Sequence, residues 1–209
     1  MKKLTITLCL LTGLLATLPA AETTATPKSP PPKTDTVVWA GLDYSMVRMI
    51  GPGEFSNPET IFPGMLDAWN NLFLQERIMF VEKQLKKNVV IDIGGVTKAN
   101  KAVTSKQIVD SAGPDDTIEK SHITAPDIAK AVKSYKMENK SGLGVVFIVD
   151  RLIKQEKKGQ GAVYVVYFDI ASREVLFSQR KVSNATGFGF RNYWFRVIKD
   201  AEGTLSKYQ

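Results

Sequence analysis

The hydrophobic positions change their repeat several times along the chain, and each change marks an element. Val37 to Ile50 (VVWAGLDYSMVRMI) is apolar and rich in strand formers, with Gly41 placed for a bend or bulge, and Gly51-Pro52-Gly53 stops it. After a loop through Pro58 and Pro63, Leu66, Trp69, Phe73 and Phe80 recur at helical intervals, and Met65, Leu72 and Met79 widen the stripe. This predicts an amphipathic helix over about Gly64 to Lys87 that packs on a sheet. Asn88 to Ile93 (NVVIDI) reads as a short central strand stopped by Gly94-Gly95. A short helix is expected near Ser105 to Ser111, ended by Gly113-Pro114. A further one runs over about Pro126 to Lys136, with Thr124 as its cap and Asp127 completing a capping-box variant.

The second half alternates differently. Gly144–Lys154, Ala162–Ile170 and Glu174–Ser183 are three strand patterns joined by the polar turn QEKKGQG and by Ala171-Ser172-Arg173, which predicts an antiparallel meander. Phe190, Tyr193, Trp194, Val197, Ile198 and Ala201 then repeat at three and four, giving a closing helix to about Leu205. Phe188 stands where a hydrophobic staple would reach Tyr193. The expected fold class is α+β: a mixed sheet of about five strands in the order β-α-β-α-β-β-β-α, with helices packed mainly on one face.

The first residues do not belong to this domain. Met1-Lys2-Lys3 precedes an apolar run from Leu4 to Leu18, and Leu18-Pro19-Ala20-Ala21 supplies small residues for cleavage after Ala20. At about 15 residues the run is shorter than the ~20 that span a bilayer, so residues 1–20 are expected to be a secretory signal peptide. Residues 21–36 follow as a tether containing Pro27, Pro30, Pro31 and Pro32, too poor in apolar side chains to form a core. Residues 37–209 are expected to form one globular domain. The only cysteine, Cys9, leaves with the signal; it follows Leu8 mid-segment, not at the cleavage point, so no lipid anchor is expected there. The exported chain is then free of thiols, disulfides and cysteine metal sites.

Charge adds little direction. The chain carries a formal +7, about +5 without Lys2 and Lys3. An envelope protein or an anionic surface polymer would suit such a surface, though the lysines are scattered. Lys83, Lys86 and Lys87 close a helix, and Lys154, Lys157 and Lys158 crowd a hairpin tip. No nucleic-acid motif is present, and no second segment is long enough to cross a membrane.

Candidate chemistry is sparse. His122 is the only histidine, and no Gly-x-Ser-x-Gly elbow accompanies it, so it reads as a surface residue. Asp43, Asp92, Asp150 and Asp169 each fall in or near a strand, where carboxylates can gather as acid and base or around a cation. Asp115-Asp116 lacks the alternating oxygen ligands of a calcium loop. The glycine groups at 51–53, 94–95 and 187–189 match no phosphate loop, and Asn139-Lys140-Ser141 and Asn184-Ala185-Thr186 carry only the short glycosylation pattern. No catalytic set, metal site or cofactor is expected. In GFGFRNYWFRVIKD, Arg191 and Phe195 fall off the core stripe beside Arg196 and Lys199, which makes these four the partner-contact candidates.

GLDYSMVRMIG (41–51), DAWNNLFLQE (67–76) and GFGFRNYW (187–194) together resemble a group of exported proteins of unknown function from Bacteroides-type Gram-negative bacteria. The resemblance covers most of the exported chain; it implies a periplasmic location and brings no activity or cofactor. The order of elements is also similar to the small α/β domains of TolB-type and curli-secretion-type envelope proteins, a likeness of fold alone. Three readings follow: a non-enzymatic binding module, a carboxylate-dependent hydrolase acting on glycans, and a structural subunit of an envelope assembly.

Overall fold

The computed structural model describes residues 30, 32–51, 53–109, 113 and 116–208; the expected signal peptide, Cys9 and most of the tether lie outside them. Among the described residues seven strands form one sheet: β1 (Thr36–Asp43), β2 (Arg48–Ile50), β3 (Asn88–Ile91), β4 (Ile108–Val109), β5 (Leu143–Gln155), β6 (Lys158–Asp169) and β7 (Val175–Ala185). The helices are α1 (Pro58–Thr60), α2 (Leu66–Glu76), α3 (Ile78–Leu85), α4 (Gly94–Asn100), α5 (Ala125–Ser134) and α6 (Phe190–Ala201). The class is α+β, with two more strands than expected. Antiparallel pairing is confined to β5–β6–β7; β1–β3, β1–β5, β2–β5 and β2–β4 are all parallel. A C-terminal meander therefore does not describe the sheet as a whole.

One extra strand comes from dividing an expected one, and the other, β4, lies where a short helix near Ser105–Ser111 is expected. The Val37–Ile50 run is two strands, not one: β1 pairs with the first half of β5 and β2 with the second half, along the same edge. Between them residues 44–47 have no ladder, and β3 pairs with β1 only as far as Trp39; side chains bond the backbone at Tyr44 and at Leu42. Asn70 on α2 accepts from Leu42 N at 2.9 Å and donates to Leu42 O at 3.1 Å. Asn100 on α4 donates to the same carbonyl at 2.8 Å and accepts from Tyr44 N at 2.8 Å. The register shift between Trp39 and Gly41, with Gly41 at φ 113°, is the bend the sequence placed there.

Helices cover both faces, which corrects the one-face expectation. On one side α2, α3 and α6 bury Trp39, Phe147, Val165 and Trp194, with Trp39 stacked on Phe73 at 4.3 Å. On the other side α4 and α5 bury Val38, Val146, Val166, Phe168 and Val132. Strands covered twice need apolar residues at every position, which is why β5 and β6 read as unbroken runs.

The remaining corrections are local. The expected helix over 64–87 is interrupted at Arg77 (φ −118°, ψ −17°), and the chain before it kinks at Phe62, which is extended (φ −112°, ψ 121°). β3 is an edge strand, not a central one. Gly94-Gly95 opens α4 instead of ending a segment; a Cβ on Gly95 would stand 2.9 Å from Lys136 N, so glycine permits the close packing of α4. Ser105–Gln107 is a single 3₁₀ turn. α5 starts with the expected box: Thr124 and Asp127 each bond the other's backbone N–H. A 3₁₀ turn, Glu202–Lys207, follows α6.

Candidate functional site

The four strand carboxylates do not form an open site. Asp43 stands opposite Ile148 in the β1–β5 register, two positions from Asp150, so the two Cα atoms are ~8 Å apart on one sheet face. Both side chains are fully buried and each has its own partners. Asp43 accepts from Ser45 N at 2.7 Å and from the Tyr135 hydroxyl. Burial raises its pKa against the pull of those bonds, and burial with the neighbouring carboxylate pushes Tyr135 well above its usual range. Asp92 accepts from Glu138 N, Asn139 N and Asn139 Nδ2 at 2.8, 2.9 and 3.0 Å, tying down a loop. Asp169, opposite Leu143 at the far end of the sheet, accepts from Ser172 N at 2.7 Å in a tight turn; that bond, ahead of the others, lowers its pKa.

Asp150 is the centre of a charge cluster that sequence reasoning missed. A register shift between Val149 and Arg151 places it at a bulge in β5. Arg180 on β7 donates from Nε to Asp150 Oδ2 at 2.7 Å. Arg151 Nε is 3.6 Å from Oδ1, and His122 Nδ1 is 2.9 Å from the same oxygen. Burial works to raise the Asp150 pKa, but His122, Arg180 and Arg151 together hold it below the usual carboxylate range. The cations then reach outward to the segment above. Arg151 donates to Thr117 O at 2.7 Å and Arg180 to Ile118 O at 2.8 Å, while Arg48 bonds Asp116 at 2.6 Å. His122 is half-buried rather than freely exposed: its Nε2 lies 2.8 Å from Met46 O, and its Nδ1 lies near both Asp150 Oδ1 and, at 3.3 Å, Arg151 Nη2. The cluster pins residues 116–123 over the sheet. The available signal was Asp150, Arg151 and Arg180 inside otherwise apolar strands, where charge is retained only when paired.

The four contact candidates on α6 separate. Phe195 is 3% exposed and belongs to the core, which corrects its assignment as a contact; the second layer around it comes from the helices on that face. Arg196 is exposed but pairs with Asp200 at 2.9 Å, one turn on. Lys199 is half-buried and Arg191 is exposed. The aromatic offered to solvent is Phe188, 95% exposed, so it makes no staple with Tyr193. Gly187 (φ 130°) and Gly189 (φ 74°) flank it, conformations that a side chain rarely allows. The turn is held on the inside. Phe190 packs against Phe55 and Trp69, both at 5.9 Å, and Trp69 Nε1 donates to Arg191 O at 2.9 Å.

Sheet register brings a basic tip beside this turn. Gly159 pairs with Ala185 and Lys154 with Gly159, so the exposed hairpin Gln155–Lys158 lies next to residues 186–188. Lys154 reaches across to Tyr193, its Nζ 2.9 Å from the hydroxyl. Lys157 and Lys158 on the hairpin and Arg191 at the start of α6 are exposed, as is Glu156. Elsewhere a cleft of about 460 Å³ runs between α5 and the start of β7, lined by Ile128, Lys133, Arg173, Leu176 and Phe177 among others. Its lining reaches Ala125 and Ser178, three residues from His122 and two from Arg180.

Among the described residues no helix is long and apolar enough to cross a membrane, and no group of three or more His, Cys, Asp or Glu converges as a metal site would require. No family model and no curated protein matches the chain. Among solved structures it is similar to the PelC dodecamer from Paraburkholderia phytofirmans at 10% identity and a TM-score of 0.34, covering 90% of this chain and 98% of PelC. A point-substituted form of the same dodecamer gives 9% identity and a TM-score of 0.36, covering 90% and 97%.

Proposed function

We propose that the protein is a non-enzymatic binding module of the cell envelope, and that it meets an anionic surface through the tip around Phe188. The observation that carries this is the placement of Phe188: nearly all its surface is in water, on a turn fixed by two glycines and an aromatic cluster. Leaving a phenylalanine exposed forgoes about 1.5–3 kcal/mol of burial, and a preorganised turn gives that energy to a partner with little ordering cost. Lys157, Lys158 and Arg191 supply the charge that draws an anionic partner to it. Location at the envelope rests on the expected export signal.

The hydrolase reading is the less favoured one. Its two closest carboxylates, Asp43 and Asp150, are buried with separate partners, and a glycan would have to displace a charge cluster to reach either.

The test is retention of the purified chain on polygalacturonate and, separately, on vesicles containing phosphatidylglycerol. Binding that falls as salt rises, and at least tenfold with Phe188→Ser or with Lys157→Glu plus Lys158→Glu, is the expected result. The two probes tell a polymer from a lipid headgroup. No retention on either, or retention indifferent to both variants, would overturn the proposal.

A further inference from the structure

β7 ends the sheet on one side: among the described residues β6 is its only paired neighbour. The cleft of about 460 Å³ between α5 and β7 touches Val175, Leu176 and Phe177. Val175 packs toward the α5 layer, and Leu176 and Phe177 toward the layer on the opposite face, so a cleft that meets all three passes the free edge of the strand. The ladder shows what this edge offers. Asp169 N donates to Glu174 O, so Asp169 and, by alternation, Tyr167 are the β6 residues that bond β7. Phe177, opposite Tyr167, therefore bonds inward. Leu176 is the extra residue of a bulge, and Val175 and Ser178 to either side direct their N–H and C=O groups outward, where no strand meets them.

The cleft has a charged end. α5 runs antiparallel to β7: just before its start Ile123 O accepts from Tyr164, which pairs with Arg180, and just after its end Tyr135 packs on Phe168, which pairs with Val175. Lys133 near the end of α5 therefore stands at the same end of the cleft as Arg173 in the β6–β7 turn. Arg173 Nη1 is buried with no hydrogen-bond partner, and an unmet donor of that kind is costly. Glu174, exposed, is the acid among the lining residues; Asp169 beside the turn is bonded to Ser172 N and Oγ. A carboxylate brought to this end gives the guanidinium an acceptor. Away from it the helix wall is apolar, with Ala125, Ile128 and Ala129.

We infer that the cleft takes the carboxyl-terminal strand of a partner polypeptide, added antiparallel to β7 with its terminal carboxylate at Arg173 and Lys133. Val175 and Ser178 make the main-chain bonds. Alternate side chains of the added strand face Ile128 and Ala129, which selects apolar residues at those positions. A fatty carboxylate would suit the cations and the apolar wall but leave the outward groups of β7 unused; a strand with a free carboxyl end uses all three. The site is separate from the tip around Phe188, which follows the other end of β7.

Affinity selection of a synthetic hexapeptide library on the purified chain tests this, with the library made once with free carboxyl ends and once as carboxamides. Peptides with free carboxyl ends and apolar residues at alternate positions are expected. Their carboxamides should bind at least tenfold more weakly, and so should the free peptides on Arg173→Gln. Ser178→Pro removes an outward N–H and no bond to β6, so it should keep the circular dichroism of the parent and lose at least tenfold in peptide affinity. Bound peptide should also slow hydrogen exchange at Val175 and Ser178 in the parent. No selected peptide, binding indifferent to amidation or to both substitutions, or decanoate bound where no peptide is would overturn the inference.

Discussion

Arg180 donates from Nε to Oδ2 of Asp150 at 2.7 Å, and the two side chains are 2% and 0% exposed. Burying such a pair is costly unless the remaining donors are satisfied, and here Ile118 O accepts from the same guanidinium at 2.8 Å. Removing one partner is worse than removing both. Asp150→Ala leaves Arg180 and Arg151 buried without their carboxylate and should cost ~3–5 kcal/mol of stability, read from the urea midpoint. Asp150→Leu with Arg180→Met should recover a large part of that loss. A single variant within 1 kcal/mol of the parent, on the order of an exposed pair, would mean that the cluster does not hold this part of the fold.

The two buried aspartates predict opposite pH slopes. Asp150 is held below the usual range in the folded chain, so its contribution is present above the unfolded value of ~3.9 and is lost as pH falls through its folded pKa. Asp43 is raised by burial, so the folded chain binds its proton more tightly than the unfolded chain does. Its contribution favours folding at low pH and declines as pH rises between the unfolded and folded values. Melting curves through the acid range should show Asp150→Asn removing the low-pH loss. Asp43→Asn, which keeps an acceptor for Ser45 N, should remove the other slope and raise the melting temperature at neutral pH. An Asp43→Asn variant less stable than the parent at neutral pH would count against this assignment.

Asn70 and Asn100 make a third test. They approach Leu42 from helices on opposite faces and both donate to its carbonyl, at 3.1 and 2.8 Å. β1 pairs with β5 through Leu42, but on its other side β3 pairs with it only as far as Trp39, so no strand serves Leu42 there. Either Asn→Ala change leaves buried backbone groups without a partner, and each should cost about 1–3 kcal/mol. The two share an acceptor, so the double variant should not be additive; a double-mutant cycle on thermal unfolding reads the coupling directly.

The sequence made some of this legible and hid the rest for physical reasons. Periodicity located β5, β6, β7, α5 and α6, since their repeats persist for ten or more residues, and the Thr124–Asp127 box marked a helix start. The division of the first strand was hidden, because a run that pairs with two halves of one neighbour looks like one run. The second helical layer is missed although the signal is present: GVVFIV (144–149) is apolar at every position, as a doubly covered strand requires. Gly94-Gly95 was ambiguous, since glycine serves close packing as readily as a stop. The Asp150 cluster was partly legible as charge inside apolar strands, but its partners on β7 and residues 116–122 depend on the folded register. Helical spacing set Phe195 apart from the main stripe, yet that face is covered too.

Phe188 and Phe195 offer the sharpest separation between contact and core, because they stand in the same short run with opposite surroundings. Phe195 is packed among the helices and sheet, and truncating it removes burial and leaves a cavity; Phe195→Ala should cost ~3–5 kcal/mol. Phe188 touches little inside the molecule, so Phe188→Ala should leave the urea midpoint within about 0.5 kcal/mol of the parent. The same variant should lose most of its retention on the anionic probes. Gly189→Ala gives the intermediate case. It meets nothing within 4 Å, yet its φ of 74° strains a side chain, so it should alter the turn that presents Phe188 while leaving Phe195 in place. Reduced retention with a core intact by near-ultraviolet circular dichroism is the expected outcome. Full retention in Gly189→Ala would mean that the fixed turn is not what makes Phe188 available.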